Sequence, residues 1–180
     1  MAMTKGTNLI DMVKYLRKQK QRAREALPAR LLDYLETQIV ITDWYPERDM
    51  YELMQAVEEL LPISGPDLYR EIGVLNAHNH LRGSYRHLLK DMHLRALPIR
   101  AEALWKSLHD TGQLLIRVED ESSGRVVLRD YANPGPNMCI VIESYLAEVF
   151  RLIGVESVQT AIESCVHRGD TECRWRFQGA

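Results

Sequence analysis

An α+β fold is what the sequence predicts: a helical first half, then a β-β-α-β-β unit whose four-stranded antiparallel sheet packs against helices. Three observations predict it. Apolar residues recur at helical spacing up to about residue 110. The period then switches to strand-like alternation in "QLLIRVEDESSGRVVLRDY". After one strongly apolar helix, "NMCIVIESYLAEVFRLIG", alternation returns in "VESVQTAIESC" and "ECRWRF". Helices collected on one face of an antiparallel sheet are the layers such an order builds. A chain of 180 residues is expected to form a single domain over 1–180, with 1–110 as the helical half and 111–180 as the sheet half.

Each element has a local reason. Leu9, Ile10, Met12, Val13 and Leu16 predict an amphipathic helix over about 7–24. A second is expected after Pro28, carried by Leu31, Leu32, Leu35 and Ile39, since proline is tolerated at a helix start. In "DWYPERDMYELMQAVEELL" Pro46 ends an extended piece. Asp49 and Glu52 have capping-box spacing there, and Leu53, Met54, Val57, Leu60 and Leu61 form one stripe. Past the turn "PISGP", helices are expected over 66–80, 83–93 and 98–110, the last stopped by Gly112. A loop with Ser122, Ser123 and Gly124 joins the first two strands, "NPGP" breaks the chain, Gly154 stops the apolar helix, and Gly169-Asp170 turns the last hairpin.

Composition narrows the function. With 46% hydrophobic and 27% charged residues the chain reads as an ordinary globular protein. No apolar run approaches the ~20 residues of a membrane span, and the start lacks a signal-peptide core, so a cytoplasmic protein with reduced thiols is expected. The net charge of −2 hides a basic stretch: residues 1–30 carry eight Lys/Arg against Asp11 and Glu25. A solvated helix face explains it, and a nucleic-acid partner is not expected without a broad basic surface. No Ser/His/Asp set, P-loop or dinucleotide pattern occurs, so no enzyme is expected.

Chemistry concentrates at the cysteines. Cys165 and Cys173 flank the final turn, and Cys139 opens the helix expected to lie across the sheet, with Glu143 one turn on. Cross-strand Cβ atoms ~4.5–5.5 Å apart would let two thiolates share a tetrahedral metal. The Cys-x7-Cys spacing alone leaves metal, redox pair and simple packing all open. His78, His80, His87 and His93 could supply a metal or haem ligand, but they read as solvent-facing or hydrogen-bonded helix residues. No Tyr-x-Ser-x-Arg haem signature is present, and no haem is expected. Trp44, Tyr85, Trp105, Tyr145 and Phe150 are candidates to line a small-molecule cavity, with ordinary core as the plainer reading.

From about residue 110 the chain resembles the 4-vinyl reductase-type domain. The resemblance rests on "MCIVIESYLAEVFRLIG" followed by "ESCVHRGDTECRWRF". That superfamily includes the ligand-sensing domains of phenol-responsive activators and the vesicle-tethering transport particle subunits. The whole chain also resembles a family expanded in myxobacteria, through "KGTNLIDMVKYLR", "DWYP" and the Cys/Gly-Asp/Cys ending. The resemblance implies a structural zinc held by Cys139, Cys165 and Cys173, with Glu163 the nearest carboxylate. It implies a non-enzymatic sensory or scaffold domain in signalling, a homodimer taking a small apolar or aromatic ligand or a signalling protein. A docking module like the transport particle subunits and a thiol redox switch are the alternatives.

Overall fold

The computed structural model describes every residue except 84 and 89–92. Residues 3–5 form β1 (Met3–Lys5), which pairs antiparallel with β2 (Trp44–Pro46). Between them run α1 (Ile10–Lys18), α2 (Lys20–Ala26) and a 3-10 stretch, Ala29–Leu35. The single helix expected over 7–24 is thus broken at Gln19, whose ψ of 33° leaves the helical region. The helix expected after Pro28 is the tighter 3-10 form.

Then come α3 (Glu47–Leu60) and α4 (Pro66–Arg82), the latter with proline in its first turn, and α5 (Leu97–Leu108). α3 starts at Glu47, so Asp49 and Glu52 do not form a capping box; both face Arg30 instead. The helix expected over 83–93 is replaced at Arg86–Leu88 by a 3-10 turn, and 84 and 89–92 lie outside the described residues.

The second half is as read: β3 (Gln113–Val118), β4 (Ser123–Arg129), α6 (Asn137–Leu152), β5 (Gln159–Ser164) and β6 (Cys173–Gln178). The antiparallel sheet runs β3-β4-β6-β5. Alternation assigns its faces. Leu114, Ile116, Val126, Leu128, Trp175 and Phe177 are buried, while Gln113, Leu115, Arg117, Arg129 and Arg176 are exposed. Gly124 sits where a Cβ would come 2.7 Å from the Phe177 ring.

Two apolar cores result. The first is built by α1, α2, the 3-10 stretch, α3 and the start of α4 around Leu9, Leu16, Leu31, Leu53 and Tyr69. The second lies between the sheet, α5 and α6 around Leu97, Leu128, Phe150, Trp175 and Phe177. α6 serves both: Met138 and Val141 belong to the first, and Cys139, Ile142, Leu146 and Phe150 to the second. That double duty explains why it is the most apolar helix, since it has little face left for solvent. It packs against α4 at Gly73, where a Cβ would meet Ser144 Oγ at 2.1 Å and the Val141 carbonyl oxygen at 2.3 Å.

Candidate functional site

Where the two cores meet, a partly open, mostly apolar cavity has about 70 Å³ of room for water-sized molecules. Met50 and Met54 of α3, Leu97, Leu104 and Trp105 of α5, Leu114 and Ile116 of β3, and Ile142 and Leu146 of α6 form its walls. Few polar groups reach it: Asn8, Asn76, His80, Arg100, His109 and Tyr145. An apolar cavity with a small convergent polar set is the usual form of a small-molecule site.

His80 is the most telling of these. It is 1% exposed, its Nδ1 lies 3.3 Å from the Tyr145 hydroxyl, and its Nε2 has no hydrogen-bond partner among the described residues. The Tyr145 and Tyr85 rings stand 5.7 and 5.9 Å away. Burial, with His109 a lesser cause, pulls the imidazole pKa down to about 3, so the ring is neutral at physiological pH and keeps a lone pair. Burial likewise holds the Tyr145 hydroxyl well above the ordinary tyrosine value.

The shift fixes a pH dependence. The unfolded ring takes up its proton near pH 6.5 and the folded one only near 3, so between those values the unfolded chain binds more protons. Stability therefore falls as pH drops through that window, approaching about 1.4 kcal/mol per unit from this residue. Urea unfolding from pH 7 to pH 5 is expected to show the decline, and His80→Leu to flatten it.

Beside the cavity lies a second buried polar group. The Glu47 carboxylate, 1% exposed, contacts Nδ1 of His109, which is 9% exposed. The His109 ring stacks on Trp105 with centroids 4.2 Å apart, and Tyr131 stands edge-on to both. Burial and the nearby Glu47 carboxylate raise the Tyr131 hydroxyl pKa well above its usual value. Glu47 opens α3 and His109 follows α5, so the pair ties the helical half to the approach to the sheet.

The three cysteines converge. Cys139 Sγ lies 3.0 Å from Cys165 Sγ and 3.5 Å from Cys173 Sγ, and all three lie within 4.8 Å of one another in the second core. The Asn133 amide reaches Cys139 Sγ at 3.4 Å, and Trp175 Nε1 donates to the Cys139 carbonyl at 3.2 Å. A hydrogen bond from the Cys139 thiol favours a thiolate at Cys173 and draws its pKa down to about 6. The same contact, with burial, pushes Cys139 far up.

Glu163 is not with them. It is on the outer sheet face, 3.2 Å from Arg125 Nε, because the alternation that turns Ile162 inward turns Glu163 outward. Glu143 is half-buried, its pKa raised by burial and lowered in part by Thr160.

The five aromatic candidates divide. Trp105 and Tyr145 line the cavity. Tyr85 packs against His80, with its hydroxyl 3.5 Å from the Ser107 carbonyl. Phe150 is fully buried and stacks on Phe177, and Trp44 is 41% exposed under the Lys5 ammonium. Sequence reading missed Glu47, His109 and Tyr131, and it took His80 for an ordinary helix residue. For His80 a signal existed: with Tyr69, Gly73 and Ala77 it continues the buried stripe of α4. His78, off that stripe, pairs instead with Glu148 at 2.9 Å.

No family model matches the chain, and no curated protein matches it. Solved structures do. An Fe(II) unliganded H-NOX mutant from K. algicida has a TM-score of 0.69 at 12% identity, over 98% of this chain and 96% of that one. An S. oneidensis H-NOX protein in the Fe(II)NO state has 0.69 at 14%, over 98% and 99%. A structure from a study of heme distortion in the H-NOX family has 0.67 at 13%, over 97% and 94%. These matches correct two expectations. The fold is not that of the vinyl-reductase-like or transport-particle group, which the final helix and hairpin alone suggested. Nor does the expectation of no haem stand, because solved structures sharing this fold are described by their heme. Over nearly its whole length the chain has the H-NOX fold.

Proposed function

We propose that the chain is a sensory domain whose signal is a small, weakly polar molecule taken into the apolar cavity beside His80. One observation carries the reading: a buried, neutral imidazole whose Nε2 has no partner among the described residues lines a mostly apolar space. That space is about half the ~150 Å³ of an apolar cavity known to admit benzene or xenon, so it suits a molecule of a few heavy atoms. Binding there would bridge walls drawn from both cores, which gives occupancy a route to the rest of the molecule.

Haem is the cofactor the fold implies; the donor set present fits it in kind, but a cavity of about 70 Å³ would have to widen several-fold to admit it. The walls are apolar, His80 would offer a neutral nitrogen, and the Arg100 guanidinium among the lining residues would face carboxylates. Haem, when bound, supplies the iron on which a diatomic gas is held. The chain's own part is to exclude water, keep His80 unprotonated and place the Tyr145 hydroxyl beside it.

Titration of haem into the purified chain, followed by its Soret band with and without nitric oxide, tests the reading. Uptake of one haem per chain, with the band shifted in His80→Leu, would show that the cavity widens to take the cofactor. Xenon binding without haem uptake would leave it a site for a small molecule alone. If the shift follows His93→Ala instead, the nitrogen comes from the exposed residue that precedes the turn into α5. Absence of haem uptake, together with no stabilisation by xenon, overturns the reading.

The convergence of three thiols favours a separate role for that cluster, a seat for a thiophilic metal ion. Tetrahedral thiolates around such an ion stand about 3.8 Å apart, close to the separations seen. Cobalt(II) titration should give thiolate charge-transfer absorption at one ion per chain, lost in Cys173→Ser. If all three thiols react freely with Ellman's reagent in the presence of cobalt(II), this role is wrong.

A further inference from the structure

The outer face of the sheet carries a pattern that neither the cavity nor the thiols use. Register sets Arg117 of β3 directly opposite Arg125 of β4, and Arg125 directly opposite Arg176 of β6. Three guanidinium side chains therefore share one row across neighbouring strands, which stand about 4.8 Å apart. Arg174 follows in the next row and Arg129 in the one after, on the same face. Like charges directly opposite in a sheet oppose folding, so stability does not account for the row.

The acids nearby neutralise only part of it. Arg125 contacts Glu119 and Glu163, and Arg129 and Arg174 share Glu172. Arg117 and Arg176, at the two ends of the row, have no ion pair among the described residues. Next to the row lies an apolar spot: Leu115, 40% exposed, faces Val127 across the strands. Arginines around a small apolar centre have the composition of a protein interface.

We propose that this face docks an acidic segment of a partner protein, its carboxylates engaging Arg117 and Arg176 and an apolar side chain resting on Leu115 and Val127. Guanidinium groups suit carboxylates because their paired donors match the two oxygens. A nucleic acid fits less well. Phosphates have no use for the apolar spot, and one short row of arginines is not the broad basic surface that a phosphate backbone needs. The proposal goes beyond the ligand-sensing reading and does not depend on it, since no residue of the face lines the cavity.

The test uses the full chain and three fluorescent probes: a peptide alternating glutamate and leucine, the same peptide with lysine for glutamate, and a single-stranded oligonucleotide. Fluorescence anisotropy should show binding of the acidic peptide alone, weakening as salt is raised. The double variant Arg117→Glu/Arg176→Glu should weaken it at least about tenfold, and Leu115→Ser should weaken it measurably. Arg82→Glu, on α4, should leave it unchanged. Removing like-charge repulsion should keep the double variant folded; if it is not, Arg117→Gln/Arg176→Gln takes its place. Equal binding by wild type and double variant, or no binding, overturns the proposal. Tighter binding of the oligonucleotide, lost in the same variant, overturns it in favour of a nucleic-acid surface.

Discussion

Alanine at position 73 should destabilise the protein by about 3 kcal/mol, at the upper end of the ordinary cost of overpacking. The added methyl would lie 2.1 Å from Ser144 Oγ and 2.3 Å from the Val141 carbonyl oxygen, where α4 crosses α6. The serine could turn away, but the carbonyl belongs to the helix backbone and cannot. Thermal unfolding should drop by about 6–12 °C, and Ser144→Ala in the same chain should restore little of it. A full rescue would mean that only the side-chain contact matters. The same substitution pushes apart helices that both line the cavity, so ligand uptake should change with it.

His109→Leu should cost about 3–5 kcal/mol, as breaking one side of a buried pair generally does. The Glu47 carboxylate would be left 1% exposed without its imidazole, and Trp105 would lose the ring stacked on it. Glu47→Gln/His109→Leu should recover part of the loss, because no charge then remains buried. Chemical denaturation of the two single variants and the double one yields the coupling directly. If His109→Leu is as stable as the parent, the pair is not a fastening between the start of α3 and the end of α5.

The sheet half was legible because its signals are short-range. Alternation gave the strands of β3 to β6, glycine and asparagine-proline gave the breaks, and an apolar run gave α6. The helical half was less so. Lys20 to Ala26 keeps the helical period of α1, and only Gln19's backbone reveals the break. β1 and β2, three residues each, have no pattern long enough to read. The convergence of Cys139, Cys165 and Cys173 could be inferred, because helix and hairpin are neighbours in sequence. Glu47 and His109 could not be paired in advance, being 62 residues apart with nothing local to mark either. The family resemblance erred for a related reason: a helix followed by a cysteine hairpin is a local motif, and it does not report how the first 110 residues are arranged around it.

β1 has a consequence for the order in which the protein is built. Besides pairing with β2, its residues reach the end of α5: Thr4 Oγ1 donates to the Leu108 carbonyl, Met3 N to Asp110, and Asp110 N to the Met3 carbonyl. The residues of β1 therefore wait for partners made more than a hundred positions later in the chain. Closing so long a loop is entropically slow, and α1 and α3 can collapse locally long before it happens. The nascent chain is accordingly expected to carry a formed helical cluster with β1 still loose, and β1 locks only when α5 emerges. Arrest of translation just before residue 108 should leave that strand open to protease, and arrest well beyond it should protect it.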